Sequence, residues 1–260
     1  MAKTLSNILM LKKRNLVIAS IGDMSNHKDW ITGGKKNFDL ALIYYGNKEN
    51  RYRNEADYHL QIQGMLKFEA IAKAIHRLSD VIRKYDTVCM PDDDIVMDTA
   101  TMNRLFRIFH KYNLDMAHPT IAGGIFYDWD MWRCPYMILR YVDHVDRICP
   151  LFRTDILRYI LNTFTLNKSG WGIELLWGKI LKGKRIAIID DVVVQHRPSR
   201  TPPWEREYYK KLIELEIDPY DELAKVQSEY GVAPHKKVFY GEKKKLCHFL
   251  FLRKLIKKLI

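Results

Sequence analysis

The apolar positions of this chain follow two alternating rhythms. Short, nearly continuous apolar runs stand at 15–25 (NLVIASIGDMS), 38–46 (FDLALIYYG), 85–91 (YDTVCMP), 114–121 (LDMAHPTI) and 185–199 (RIAIIDDVVVQHRPS), most of them closing on glycine, proline, aspartate or histidine. Such runs predict strands buried on both faces. Between them, 64–80 sets Leu66, Ile71, Ala74, Ile75 and Leu78 on one side at helical spacing. A second amphipathic helix is predicted over 98–112, where Asp98 or Thr99 suits the N-cap. Strands alternating with helices predict an α/β domain on a mostly parallel sheet. In such sheets ligands bind beyond the carboxyl ends of the strands. The loops after 15–21, 38–45 and 85–91 are therefore expected at the binding edge.

Beyond residue 121 the rhythm loosens. HVDRICPLF (144–152) reads as a strand entering a helix at RTDILRYIL, KSGWGIELLWGKIL (168–181) as a glycine-broken turn opening a helix, and the strand in 185–199 ends at His196. RPSRTPPWERE (197–207) breaks structure with its prolines, and two short surface helices are expected in 208–231. The expected division is a catalytic domain over 1–200, a helical extension over 201–240 and a basic amphipathic helix over 241–260. Substrate choice is expected in the loops 23–37, 47–63 and 122–140.

Composition adds bounds. The 260 residues, 47% hydrophobic and 28% charged, suit a folded domain with a sizeable core. No apolar run reaches the ~18–20 residues that span a bilayer, and MAKTLSNILMLKKRN lacks an adequate signal-peptide core, so the chain is read as not secreted. The four cysteines form no CxxC pair, which argues against a zinc knuckle and suits a reducing cytoplasm. Of the net charge of +12, +6 sits in residues 241–260, which carry seven Lys/Arg against one Glu. A basic tail with its own role fits this better than a distributed nucleic-acid footprint.

The run PDDDI puts Asp92, Asp93 and Asp94 directly behind the strand at 85–91. Adjacent carboxylates in a cleft repel one another unless a cation or a proton relieves them. Hard oxygen ligands suit Mn²⁺ or Mg²⁺, which keep positions open for phosphate oxygens. On an extended segment Asp92 and Asp94 point one way and Asp93 the other, so one face offers a D-x-D pair. The alternative is a solvated turn capping the next helix. His196 leaves a buried strand at the same edge, where a neutral imidazole suits a metal site.

The ordered set DDDI, PLF, GWG and terminal VVVQH resembles the metal-dependent GT-A glycosyltransferases, and within them a mainly bacterial and plant group, over about residues 15–200. The resemblance implies a GT-A-like, Rossmann-type α/β/α sandwich with a C-terminal helical extension. It implies a nucleotide-sugar donor whose diphosphate meets Mn²⁺ or Mg²⁺, with Asp94 as direct ligand, Asp92 toward ribose or metal-bound water, and His196 completing the site. Ser20 and Asp23, in the loop after the first strand, would meet the nucleoside, and Asp93 and Lys67 would face the donor. A solvated helix lysine is the other reading of Lys67.

The GWG turn supplies the acceptor side. Its glycines permit a sharp backbone turn, the Trp171 indole suits the apolar face of a sugar, and Gly172 belongs to the same loop. Glu174 near the start of a helix suits a general base. The resemblance makes this the acceptor loop of an inverting enzyme. Core packing for Trp171 and a helix N-terminal role for Glu174 are the alternatives, and Asp143, Asp146, Asp190 and Asp191 are rival carboxylates.

If 246–260 is helical, its apolar residues fall on one arc and Arg253, Lys254, Lys257 and Lys258 on the other. That arrangement suits an anionic membrane surface. The expected protein is thus a cytoplasmic enzyme, peripheral on the inner face of the membrane, acting on a glycan or lipid-linked glycan in bacterial surface polysaccharide synthesis, with no nucleic-acid partner. The competing readings are a metal-dependent phosphotransferase or nuclease, and a non-catalytic basic adaptor for membrane or nucleic acid.

Overall fold

The computed structural model describes residues 14–122, 133–197, 206–233 and 236–244. The parts of the predicted segments that fall on 1–13, 123–132, 198–205, 234–235 and 245–260 lie outside the described residues, including most of the basic tail.

The apolar runs become strands. β1 (Asn15–Ile21), β2 (Phe38–Tyr44), β3 (Tyr58–Gln61) and β4 (Thr87–Cys89) pair in parallel, in the spatial order β3-β2-β1-β4. Next to β4 runs β8 (Leu151–Arg153), antiparallel to it and to β6 (Met116–Ile121). β6 pairs in parallel with the long β9 (Ile186–His196), and β7 (Met137–Val142) and β10 (Val238–Lys243) complete that edge in antiparallel fashion. The sheet is mixed but mostly parallel, as expected from the alternation of strand and helix.

Helices cover both faces because successive side chains of each strand point opposite ways. Leu16 and Ile18 enter one core with Phe68, Ile71 and Ala74 of α2 (Lys67–Arg77), which the short α3 (Ser79–Ile82) follows. Ile156 and Ile160 of α5 (Thr154–Ile160) and Trp177 of α6 (Ile173–Ile180) join the same core. Val17, Ala19 and Ile21 enter the other with Trp30 of α1 (His27–Trp30) and Met102, Leu105 and Phe106 of α4 (Thr99–Lys111). Each such large side chain taken from water contributes about 1.5–3 kcal/mol. Asp98 caps α4, its carboxylate accepting from Thr101 N at 2.8 Å.

After the proline-rich segment come α7 (Glu207–Glu214) and α8 (Pro219–Tyr230), the two short helices read from sequence. Residues 241–243 depart from expectation. They extend β10 rather than beginning a helix, because the edge of β7 offers unpaired backbone groups and Tyr240 stacks on Tyr141 at 4.4 Å. Among the described residues no helix is long and apolar enough to cross a membrane.

Strand order reverses between β1 and β4, and the carboxyl ends of these two strands lead to Gly22–Asp23 and Asp92–Asp94. That is the topological switch point at which open α/β sheets bind ligands.

Candidate active site

Behind β4 the chain turns tightly, with Ile95 N donating to Asp92 O at 3.1 Å, so the aspartates sit on a turn and not on the extended segment expected. The three carboxylates nevertheless diverge, each to its own partner. Asp92 forms an ion pair with Lys67, the first residue of α2. The carboxylate of Asp93 turns back toward β1 and β2, accepting from Gly22 N at 2.8 Å and from the Tyr45 hydroxyl at 3.1 Å. Asp94 Oδ2 lies 3.0 Å from His196 Nε2. Mutual repulsion is thus relieved by a cation, by two hydrogen-bond donors and by an imidazole.

His196 reaches Asp94 through a two-residue strand that periodicity does not reveal. β5 (Ile95–Val96) pairs antiparallel with the end of β9, setting Ile95 opposite His196 and Val96 opposite Gln195. Trp30 Nε1 donates to Ile95 O at 2.8 Å and fixes this strand from the other side.

Burial raises the pKa of two of these carboxyls, Asp92 and Asp93. Asp93 is pushed up to about 6, mainly by desolvation, with the Gly22 amide opposing it and the charges of Asp94 and Asp92 adding to it. Asp92 is also raised, desolvation outweighing the Lys67 ammonium beside it. Tyr45 is raised by burial and by the Asp93 charge, so its hydroxyl stays protonated and keeps donating.

The donor set for a metal is small. Asp94 Oδ1 is buried with no hydrogen-bond partner, beside the His196 contact. An uncommitted carboxylate oxygen next to an imidazole fits a hard divalent cation. Among the described residues no group of three or more His, Cys, Asp or Glu side chains is arranged to hold a metal ion. Asp94 and His196 would therefore supply two ligands, and the remaining positions would need ligand oxygens or water. Asp92, engaged by Lys67, is the weakest of the three expected ligands.

The two residues assigned to the nucleoside behave differently. Ser20 is buried within β1. Asp23 stands at the strand's end, accepting from the Tyr44 hydroxyl at 2.7 Å and ion-paired with Arg51 at 2.8 Å and Lys48 at 3.2 Å. Those contacts, the Tyr44 hydrogen bond foremost, hold its carboxyl below the usual range.

The GWG turn is fastened on several sides. Glu222 of α8 accepts from Lys168 N at 3.1 Å and Ser169 N at 2.7 Å, and Asn167 bonds both Gly170 N at 2.9 Å and Trp171 O at 2.8 Å. Gly170 (φ +76°) and Gly172 (φ +83°) occupy the left-handed region, and a Cβ on Gly170 would lie 2.6 Å from Phe68 Cδ2. One face of the Trp171 indole carries the Arg147 guanidinium, 5.3 Å from the ring centroid, and Tyr220 meets the ring edge-on at 5.0 Å. The open stacking platform expected for a sugar is thus already part-covered. Trp171 Nε1 is buried and makes no hydrogen bond of normal geometry.

Glu174 sits on the first turn of α6, with its side chain 15% exposed and Oε2 without a partner. Burial raises its pKa, and Arg147 opposes the rise. A carboxyl held in a part-dry pocket with a free lone pair is chemically suited to accept a proton. The rival carboxylates are committed elsewhere. Asp190 is fully buried between Arg140 (2.9 Å) and Cys134 N (2.7 Å), while Asp191 pairs with Arg104 and Lys244. Asp143 accepts from Lys237 N at 3.0 Å and contacts His144, and Asp146 accepts from Ile148 N at 3.0 Å.

Three further residues belong to this neighbourhood, of which Arg147 and Tyr208 carry no sequence signal. Arg147 arrives because Asp92 N donates to Ile148 O at 2.7 Å and Lys67 Nζ to Arg147 O at 2.8 Å, pinning the loop before β8 against the aspartate turn. Tyr208 of α7 donates to Ser169 O at 3.0 Å and is pushed up to about 12 by burial. Tyr45, one residue past β2, was legible only as part of the expected binding edge. Two surface hollows lie elsewhere, one of about 490 Å³ lined by Thr163, Leu166, Ile180 and Tyr230, the other of about 360 Å³ by Glu69, Lys73 and His76.

No family model matches the chain, and no curated protein matches it by sequence. Among solved structures, the fold is similar to S. aureus TarS at a TM-score of 0.48 and 11% identity, over 84% of this chain and 42% of that one. The chain therefore spans about two fifths of the length of that structure. TarS residues 1–349 give 0.49 and 12% over 84% and 72% of the two chains, and the same piece in complex with UDP-GlcNAc gives 0.45 and 10% over 84% and 73%. At scores below one half and identities near one tenth, such likeness carries no chemistry across.

Proposed function

We propose that this chain is a glycosyltransferase of the GT-A type that moves a sugar from a nucleotide-sugar donor to a glycan or lipid-linked glycan acceptor. The observation that carries the reading is the pairing of Asp94 with His196 at 3.0 Å, with Asp94 Oδ1 buried and unpartnered, at the switch point of the sheet. Asp94 and His196 would hold Mn²⁺ or Mg²⁺. When bound, the metal supplies charge stabilisation to the departing nucleoside diphosphate.

The chain's own residues divide the remaining work. Glu174 takes the proton of the acceptor hydroxyl as that oxygen bonds to the anomeric carbon, while the bond from that carbon to the diphosphate oxygen breaks. Attack from the face opposite the leaving group inverts the anomeric centre. Lys67 keeps Asp92 charged and in place beside the donor. Asp93 fixes the Gly22 amide and the Tyr45 hydroxyl, and this region with Asp23 forms the nucleoside wall. Trp171 and Gly172 shape the acceptor side, with the indole N–H as a donor to an acceptor oxygen.

The tail over 241–260, with seven Lys/Arg against one Glu, supports attachment to an anionic membrane surface. That placement suits a cytoplasmic enzyme on the inner face of a bacterial membrane, building surface polysaccharide.

The test is calorimetric and thermal-shift binding of a nucleotide and nucleotide-sugar panel, with and without Mn²⁺. UDP and UDP-GlcNAc, the molecules held in TarS structures, are the first to try. Binding of one nucleoside diphosphate only with metal present, lost in Asp94→Ala, is the expected result. No nucleotide binding in either condition would overturn the reading.

A further inference from the structure

We infer that Arg147 is a positioning residue for the proposed base: stacked on Trp171 and facing Glu174, it holds that carboxylate ionised and in place without occupying the oxygen that must accept a proton. The role of Glu174 rests on the glycosyltransferase reading, whereas the contact between the two side chains does not.

Distance carries the case. Arg147 Nη1 lies 3.9 Å from Glu174 Oε1, beyond hydrogen-bond range but close enough for strong attraction between part-buried charges. Among the described residues the Arg147 side chain makes no hydrogen bond, and Glu174 Oε2 has no partner either. A bidentate arginine would lock both carboxylate oxygens and lower their basicity. An arginine held back by stacking gives the charge and leaves the lone pairs. The stack on Trp171, centred 5.3 Å away, and the backbone tie from Lys67 Nζ to Arg147 O at 2.8 Å fix the guanidinium at that distance.

The surrounding charges give the arginine something to oppose. Glu174, on α6, is faced by Arg147 and Asp146 from the loop before β8 and by Lys236 ahead of β10. Desolvation and Asp146 favour the protonated acid, while Arg147, the largest opposing influence, and Lys236 favour the carboxylate. Arg147 in turn feels Glu174, Asp146, Tyr208 and Asp92, so it links the donor turn to the acceptor loop. A base that burial already drives upward would be neutral over more of the working pH range without this cation.

The experiment uses the full chain and two readouts. The first is the pH profile of kcat for wild type, R147M and R147K, with metal and donor saturating. The second is a ¹³C NMR titration of the Glu174 carboxyl without substrate, its signal identified by its absence in E174Q. Loss of the cation is expected to move both the acid limb and the NMR midpoint upward by about one to three pH units in R147M. R147K is expected to recover part of that movement, with donor KM within about threefold of wild type. An unmoved NMR midpoint in folded R147M would overturn the inference, and R147Q makes the same comparison if R147M does not fold. A moved midpoint in a protein that transfers no sugar would uphold the Arg147–Glu174 coupling and overturn the function proposed for it.

Discussion

Asp94 and His196, 102 residues apart in sequence, stand 3.0 Å apart because Ile95 pairs with His196 between β5 and β9. If these side chains hold the metal as a unit, Asp94→Ala, His196→Ala and the double variant should fail alike. Turnover is expected to fall on the order of 10²–10³ in each, with the double variant little worse than either single one. Neither residue belongs to the core clusters, so circular dichroism and the thermal midpoint should stay near wild type. Independent, additive losses would show that the two residues do different work.

Much of this site could be read from the order of residues along the chain. β1, β2, β4, β6 and β9 announce themselves because both faces of each are buried, leaving uninterrupted apolar runs. The edge rule for α/β sheets then places Gly22, Asp92 and His196 together. β3, with the half-buried sequence YHLQ, and β10, with VFYGEK largely exposed, carry no such run and escaped. β5 escaped because two residues have no period. Arg147 was invisible for a different reason: the Asp92 N to Ile148 O bond that brings it in is a backbone contact, which no side-chain pattern encodes. The same contact changes the surroundings of Trp171, whose ring face is shared with Arg147 and so is not simply open to sugar.

Lys67 offers a direct test of how the aspartate turn tolerates its charge. Its side chain is 19% exposed and that of Asp92 28%, so the pair is part-dry. Lys67→Met should leave the Asp92 carboxylate uncompensated and release the bond to Arg147 O, destabilising the fold by about 1–3 kcal/mol. Urea unfolding checks this. A midpoint unchanged from wild type would mean that solvent already screens the pair.

Two left-handed glycines, Gly170 in the GWG turn and Gly183 beyond α6, separate backbone strain from steric conflict. Gly183 (φ +86°) has nothing within 4 Å of a built Cβ, so Gly183→Ala measures the cost of a side chain in the left-handed region alone, about 1 kcal/mol. Gly170→Ala adds a Cβ 2.6 Å from Phe68 Cδ2, a ring packed edge-on to Phe164 and Trp177 and unable to retreat. Its cost should exceed that of Gly183→Ala by a further 1–3 kcal/mol or so. Equal losses in chemical denaturation would show that the α2 contact yields freely.

Asp190 belongs to stability rather than turnover. It is fully buried, and both of its oxygens are bound, by Arg140 and by Cys134 N. Arg140→Met leaves a buried charge unpaired and should cost about 3–5 kcal/mol. Activity per folded molecule should hold. A selective loss of turnover with unchanged stability would return Asp190 to the list of candidate bases.

Asp93 makes stability depend on pH in a direction opposite to most carboxylates. Its pKa in the folded protein is about 6, raised chiefly by burial, against 3.8 for an ordinary aspartate. Between those values the folded state holds a proton that the unfolded state has released, so stability falls as pH rises through that window. Below about pH 4 the group carries no penalty, and above about pH 6 the full penalty stands, on the order of 1–3 kcal/mol. Asp93→Asn cannot ionise, yet its carbonyl oxygen can still accept from Gly22 N and the Tyr45 hydroxyl. The variant should therefore match or exceed wild-type stability at pH 7 and lose its advantage near pH 4. Comparing the two proteins at each pH cancels the contributions of the other titrating groups, among them Asp92 and Glu174, which burial also raises. Urea unfolding of both proteins at pH 4.5, 5.5 and 7 decides the matter. Parallel stability curves would mean that the Asp93 carboxylate is solvated well enough in the folded protein to ionise at its ordinary pH.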